Sequence, residues 1–294
     1  MTGLRLRAHA KVNLGLKVLG RRPDGYHEIR TVLMSTTLHD TLELEVGGDG
    51  FHLEVDDPSL PGGPSNLVWR AVELLSPPLG PGRGLRLRLQ KRVPWGAGLG
   101  GGSSDAAAAL LGVDMLYGLG LGPRGLQRHA EALGSDVPFF LTGGAALLTG
   151  RGTEVHPLPD PSASELLIVY PGMPLSTRDV YAQLQESLTL APETASISGF
   201  GRFPADLDSW VRFGNDLEPL ATRLCPAVAD IRDALRAAGA RVSAMTGSGS
   251  AVFGIFGDAA QVGAATKILG QAGFQVFPCR TLGRKALQKE RIVR

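Results

Sequence analysis

PWGAGLGGGSSD, residues 94–105, places five glycines between an alternating segment, GLRLRLQ (84–90), and an alanine-rich one, AAAALLGVDML (106–116). Alternation predicts a strand and the alanine run predicts a helix, so the glycines form a strand-to-helix loop. Free N–H groups at a helix start, together with turn amides, converge on phosphate oxygens, and residues without Cβ let the backbone approach an anion. Ser103 and Ser104 are candidate N-caps whose hydroxyls suit phosphate or magnesium, and Asp105 is a candidate first-turn anion. A flexible glycine turn with a serine cap is the bland alternative, but it has little use for a triple glycine followed by two serines. GAGLGG (96–101) formally satisfies GxGxxG, yet Leu121 stands where a dinucleotide site needs an acidic residue about 20 positions on. A Walker A loop fails as well, because no lysine follows the glycines.

Outward from the loop, the N-terminal segment alternates through Leu4, Leu6 and Ala8 and again through Leu14, Leu16 and Val18, until RRPDG (21–25) breaks it. A strand pair is expected at 31–35 and 41–45, a turn at 47–50 and a strand at 51–55, giving a meandering antiparallel sheet. Helices are expected at 66–75 and 123–133, and a hairpin at 143–158. PDPSASE (159–165) is a turn-rich break, which divides the chain into domains 1–158 and 159–294. The second half reads as a strand at 166–172, helical starts at 177–184 and 216–220, a helix at 226–238, strands either side of TGSGS (246–250), a helix at 258–271 and a final strand. That order suits an antiparallel sheet with helices on one side.

Composition bounds the function. With 43% hydrophobic and 20% charged residues the chain buries a substantial core, and a net charge of +2 supplies no field to gather nucleic acid or anionic lipid. The uncharged stretch 137–150 is shorter than the roughly 20 residues that cross a bilayer. No signal peptide is read at the N-terminus, and Cys225 and Cys279 form no paired motif, so a cytoplasmic, reducing location is expected. Six scattered histidines give no zinc pattern.

PWGAGLGGGSS resembles the PxxxGLGSS-type ATP loop of the GHMP kinase superfamily, which includes galactokinase, homoserine kinase, mevalonate kinase and phosphomevalonate kinase. Three further segments, AKVNLGLKVLGRRPDGYHEIRTV (10–32), GSDVPFF (134–140) and MTGSGSAVFGIF (245–256), resemble the 4-diphosphocytidyl-2-C-methyl-D-erythritol kinase family, in the family's order and across both halves. The departures are small: GSD for the commoner GAD, Trp95 at a usually smaller position, and MTGSGS for MSGSGS or LSGSGS.

The resemblance implies an α+β two-domain fold: an N-terminal ATP-binding and catalytic domain like ribosomal protein S5 domain 2, and a C-terminal ferredoxin-like α/β sandwich that binds substrate. It implies ATP with Mg2+, and a cytidine-containing small molecule as the phosphoryl acceptor, in the non-mevalonate route to isoprenoid precursors. Neither nucleic acid nor membrane is an expected partner, and monomer or weak homodimer is left open. Asp136 and Lys11 are the implied catalytic pair. ATP contacts fall on Asn66, Pro94, Trp95, Gly96, Ala97, Gly98, Leu99, Gly100, Gly101, Gly102, Ser103 and Ser104. Substrate contacts fall on Asn13, Tyr26, His27, Asp136, Tyr181, Gly247 and Ser248, with Tyr26 and Tyr181 framing the cytosine and His27 reading its polar edge. Without the resemblance, S-D-x-P reads as an ordinary N-cap at Asp136, Lys11 as a solvated strand lysine and TGSGS as a hairpin turn. Asp216 and Glu218 read as capping and scaffold residues, and the metal ligands stay open. The competing readings are another small-alcohol kinase, a catalytically silent nucleotide-binding protein and, last, a dinucleotide oxidoreductase. Whether Lys11 and Asp136 meet across a cleft separates an enzyme from the silent protein.

Overall fold

A computed structural model describes residues 3–75, 82–184 and 206–293. The chain opens with two long antiparallel strands, β1 (Gly3–Arg21) and β2 (His27–Val46), joined by the expected break. The two strands expected at 31–35 and 41–45 are one. Thr36, Thr37 and Leu38 carry β2 through residues 36–40, and Asp40, the turn former there, is buried and held by Arg92 N and Val93 N instead of turning the chain. Its length lets β2 pair twice along one edge, with β4 (Leu85–Gln90) through Thr41–Val46 and with β5 (Ala145–Thr149) through Thr31–Met34. β3 (Phe51–Val55) pairs with β4 in parallel, which corrects the purely antiparallel meander. β6 (Glu154–Pro157) completes the hairpin with β5.

Helices α1 (Leu67–Leu75), α2 (Gly101–Tyr117), α3 (Gly122–Leu133) and α4 (Val137–Thr142) share a buried core with this sheet. Alanines 106–109 are all buried, since small side chains let α2 pack closely on its neighbours. α2 begins earlier than the serines suggest. Gly100, at φ 70°, is its N-cap, so Ser103 and Ser104 lie inside the helix, and Asp105 is a buried ion-pair partner beyond the first turn.

The second sheet has the order β10 (Gln275–Arg280), β7 (Glu165–Tyr170), β9 (Val252–Phe256), β8 (Val242–Met245), with every pairing antiparallel. One core lies between it and α5 (Thr177–Leu184), α7 (Glu218–Leu224), α8 (Ala227–Ala237) and α9 (Ala259–Gln271). Another core joins it to β1, β2 and the short α6 (Leu207–Val211), so the two sheets are cemented by apolar packing. The C-terminal α10 (Arg284–Glu290) and β11 (Ile292–Val293) return to the first sheet, where β11 pairs with β1. No described helix is long and apolar enough to cross a membrane.

Candidate active site

The cleft between the sheets, about 380 Å³, is lined by β1, β2, the glycine loop and the start of α2, Asp136 before α4, Gly152, α5 and the second glycine loop. Register shifts occur between His9 and Lys11 and between Asn13 and Gly15. Strand irregularities of this kind re-aim side chains. Lys11 and Asn13, two apart on the intervening stretch, project together: Lys11 Nζ donates to Asn13 Oδ1 at 2.6 Å. Nζ also donates to the Gly98 carbonyl of the glycine loop at 2.6 Å and stands 3.9 Å from Asp136 Oδ2. Lys11 is therefore a buried cation, and the solvated-strand reading fails. Burial pushes its pKa down, and the Asp136 charge opposes the shift.

Asp136 occupies the N-cap position of α4, but its side chain makes no capping bond among the described residues. Its side chain is 43% exposed. The carboxylate is thus an acceptor beside a buried ammonium, open to the cleft.

Gly98, at φ 76°, lies against the second glycine loop. A Cβ there would stand 2.1 Å from the Thr246 carbonyl oxygen, so only a bare backbone fits. Pro94 to Ser103 all lie along the loop and cleft, with the first amides of α2 at its floor. Ser104 departs from the expectation: it is buried, and its hydroxyl donates to the His9 carbonyl at 2.8 Å, which withdraws that oxygen from phosphate or metal. Asn66 departs too. Its carboxamide accepts from Val68 N and donates to the Pro61 carbonyl, so it caps α1, while the adjacent Leu67 lines the cleft.

Tyr181, Gly247 and Ser248 line the cleft, the last bonded to Thr177 Oγ1 at 2.9 Å. The aromatic frame is arranged differently from the expected tyrosine pair. His27 sits against Tyr181, ring centroids 5.1 Å apart, whereas the exposed Tyr26 lies under the Arg151 guanidinium at 5.3 Å. Burial and Arg21 lower the His27 pKa, favouring neutral imidazole, and its buried Nε2 finds no partner among the described residues. Burial, then the Asp136 charge, raises the Tyr181 pKa, so its hydroxyl stays protonated.

Several residues at and behind the site drew no role from the sequence. Thr31 and Thr246 hold Asn13. Lys91 bridges Asp40 at 2.5 Å and Asp105 at 2.7 Å, close behind the α2 start: a Cβ on Gly101 would lie 3.3 Å from Lys91 Nζ. Burial alone would lower Lys91, but the two carboxylates hold it above its ordinary range. A lysine just before the loop was the one sequence signal for this cluster; its partners at 40 and 105 are brought together by the fold. Asp216 accepts from Lys17 Nζ and Val18 N, and Glu218 accepts from Arg232 and Met245 N, which ties both to the scaffold.

Models of the GHMP kinases N terminal domain and the GHMP kinases C terminal match residues 66–144 and 202–273. A protein of Pelotomaculum thermopropionicum named 4-diphosphocytidyl-2-C-methyl-D-erythritol kinase is 44% identical over 85% of this chain and 88% of its own length. Its namesake in Solibacter usitatus is 42% identical over 90% of this chain and 85% of its own. Among solved structures, a 4-(cytidine 5'-diphospho)-2C-methyl-D-erythritol kinase superposes with a TM-score of 0.77 at 35% identity, covering 95% of this chain and 99% of that one.

Proposed function

The chain belongs to the GHMP kinases, in the 4-diphosphocytidyl-2-C-methyl-D-erythritol kinase family, and from that premise we infer the reaction it performs. ATP and 4-(cytidine 5'-diphospho)-2-C-methyl-D-erythritol give ADP and the 2-phosphorylated product, a step of non-mevalonate isoprenoid precursor synthesis. The observation that carries the site assignment is the approach of Lys11 to Asp136, 3.9 Å apart in a cleft floored by the glycine loop. A catalytically silent nucleotide-binding protein has no need of that pair.

Each group has a physical task. Asp136 receives the proton of the acceptor hydroxyl as its oxygen forms a bond to the γ-phosphorus and the bond to the β-phosphate oxygen breaks, releasing ADP. Lys11, poor in solvent, stabilises charge on the transferring phosphoryl more strongly than an exposed lysine would. Gly101, Gly102 and Ser103 open α2, and their amides suit the phosphates. Tyr181 lines the cleft and offers a ring face to cytosine, His27 packs against that ring, and Tyr26 lies next along the chain under Arg151.

Among the described residues no group of three or more His, Cys, Asp or Glu side chains is placed to hold a metal. The available oxygen donors, the Asp136 carboxylate and the Ser103 hydroxyl, fit a magnesium ion delivered on ATP phosphates, where it would neutralise phosphate charge. Two buried free cysteines support a reducing, cytoplasmic location.

Asp136→Asn tests the assignment. Single-turnover phosphorylation should fall about 10²–10⁴-fold while ATP affinity, measured separately, is kept. Near-wild-type turnover by the folded variant would remove Asp136 as the proton acceptor.

A further inference from the structure

Thr246 belongs to the second glycine loop, between β8 and β9, and is completely buried. Its hydroxyl oxygen accepts from the Asn13 backbone N–H at 3.0 Å. The single hydroxyl hydrogen faces two acceptors, Asn13 Oδ1 at 3.2 Å and the Gly98 carbonyl at 3.3 Å. Those two oxygens are the same ones that hold Lys11 Nζ. One hydroxyl from the C-terminal half therefore touches every partner that orients the lysine, apart from Asp136.

The direction of the hydrogen bonds fixes the arrangement. Thr31 Oγ1 donates to the Gly15 carbonyl at 2.7 Å, so toward Asn13 it acts as acceptor and receives Nδ2 at 2.8 Å. The carboxamide oxygen is thereby turned to Lys11 and Thr246. We propose that Thr246 is a positioning residue for phosphoryl transfer: its hydroxyl locks the Asn13 carboxamide and the Gly98 carbonyl into the one relation that aims the Lys11 ammonium at the reacting groups. This rests on the kinase reading above and adds to it a means by which the C-terminal half completes a catalytic group on β1. Backbone contact reinforces the link, since Ala251 N donates to the Ala97 carbonyl and a Cβ on Gly247 would meet the Gly98 carbonyl oxygen at 2.8 Å.

The test is a double-mutant cycle in the full chain between Thr246→Val, which keeps shape and deletes the hydroxyl, and Asn13→Ala. Thr246→Ser serves as the conservative rescue. Thr246→Val should lower kcat about 10- to 100-fold, the scale of a misplaced catalytic group, with the KM for ATP changed less than about threefold. Thr246→Ser should return kcat to within about threefold of wild type, and in the Asn13→Ala background the valine should cost less than about threefold, because the lock it breaks is already gone. Thermal melts accompany each variant, and if Thr246→Val does not fold, Thr246→Ala takes its place in the cycle with the same expectations. Additive losses, an inactive serine variant, or a valine variant with wild-type kcat would each overturn the assignment. Wild-type turnover in the same assay separates the two levels: no phosphorylation by wild type defeats the kinase reading, whereas normal wild-type turnover with an additive cycle defeats Thr246 alone.

Discussion

Gly102→Val isolates the ligand-binding role of the glycine loop from its folding role. Gly102 is exposed in the first turn of α2, and a Cβ there would find one neighbour within 4 Å, Leu67 Cδ1 at 3.8 Å. Leu67 lines the cleft, so the new side chain would occupy the space offered to the nucleotide. Folding should be indifferent, because valine in a helix is no worse than glycine, which itself costs about 1 kcal/mol relative to alanine. ATP should lose at least one charge-assisted hydrogen bond to a first-turn amide, worth about 1.5–3 kcal/mol, or roughly 10- to 150-fold in affinity. Calorimetric titration with ATP, alongside a thermal melt, reads both quantities. Gly98→Ala is the opposing control. Its φ of 76° and the 2.1 Å approach to the Thr246 carbonyl oxygen predict a loss of stability of about 1–3 kcal/mol from backbone strain, before any clash is counted. Unchanged ATP affinity in a fully folded Gly102→Val protein would refute the cradle.

Tyr181→Ala should weaken the cytidine-bearing substrate by about 1–3 kcal/mol, the scale of base stacking on an aromatic ring, and leave ATP affinity alone; equal losses for a cytidyl-free alcohol would contradict it. Lys11 is held below the ordinary lysine range in the free protein, so the alkaline limb of the kcat/KM profile should lie below about 10.4 and move lower in Asp136→Asn, where the opposing carboxylate charge is gone. A limb at or above the lysine value counts against Lys11 as the group seen. His9 has its pKa lowered from 6.5 to about 3 by burial and by the facing His39, Arg291 and Arg7, with only the Thr36 carbonyl working the other way. Between those values the unfolded chain binds a proton that the folded one does not, so stability falls as pH falls, by about 1.4 kcal/mol per unit for this group. Denaturant titrations across that range should show a shallower decline in His9→Gln, and an identical slope would exclude His9 as its source.

Local pattern made much of this fold legible. The alternation of β1 and the Ala-rich start of α2 each declare a period, and glycine marks the loop between β4 and α2. The length of β2 was hidden because His39 and Asp40 look like a break, yet Asp40 is fully buried and accepts from Arg92 N, Val93 N and Lys91. Parallel pairing of β3 with β4 depends on a long crossover through α1 that no local pattern encodes. The C-terminal α10 and β11 were missed for a related reason: their worth lies in distant partners. Arg291, for instance, donates to the Phe140 and Leu141 carbonyls at the far end of the helix that Asp136 begins. In the site, Lys11, Asp136 and the glycines carried motif information. Thr246 and Thr31 lie inside the same motif segments but drew no role from them, since their roles arise only when β1, β2 and the second glycine loop meet; Ser104 drew too much, because the helix is capped at Gly100, four residues before it.

Product analysis on the wild-type protein tests the central claim most directly. With ATP and 4-(cytidine 5'-diphospho)-2-C-methyl-D-erythritol, set beside phosphomevalonate, homoserine and galactose, phosphorus NMR should show ADP and one new phosphomonoester on the 2-oxygen of the cytidyl alcohol. The other alcohols should be turned over far more slowly, and the activity should fall about 10²–10⁴-fold in Asp136→Asn. Phosphorylation of the panel without regard to the cytidyl group, or ATP left intact in its presence, would contradict the account.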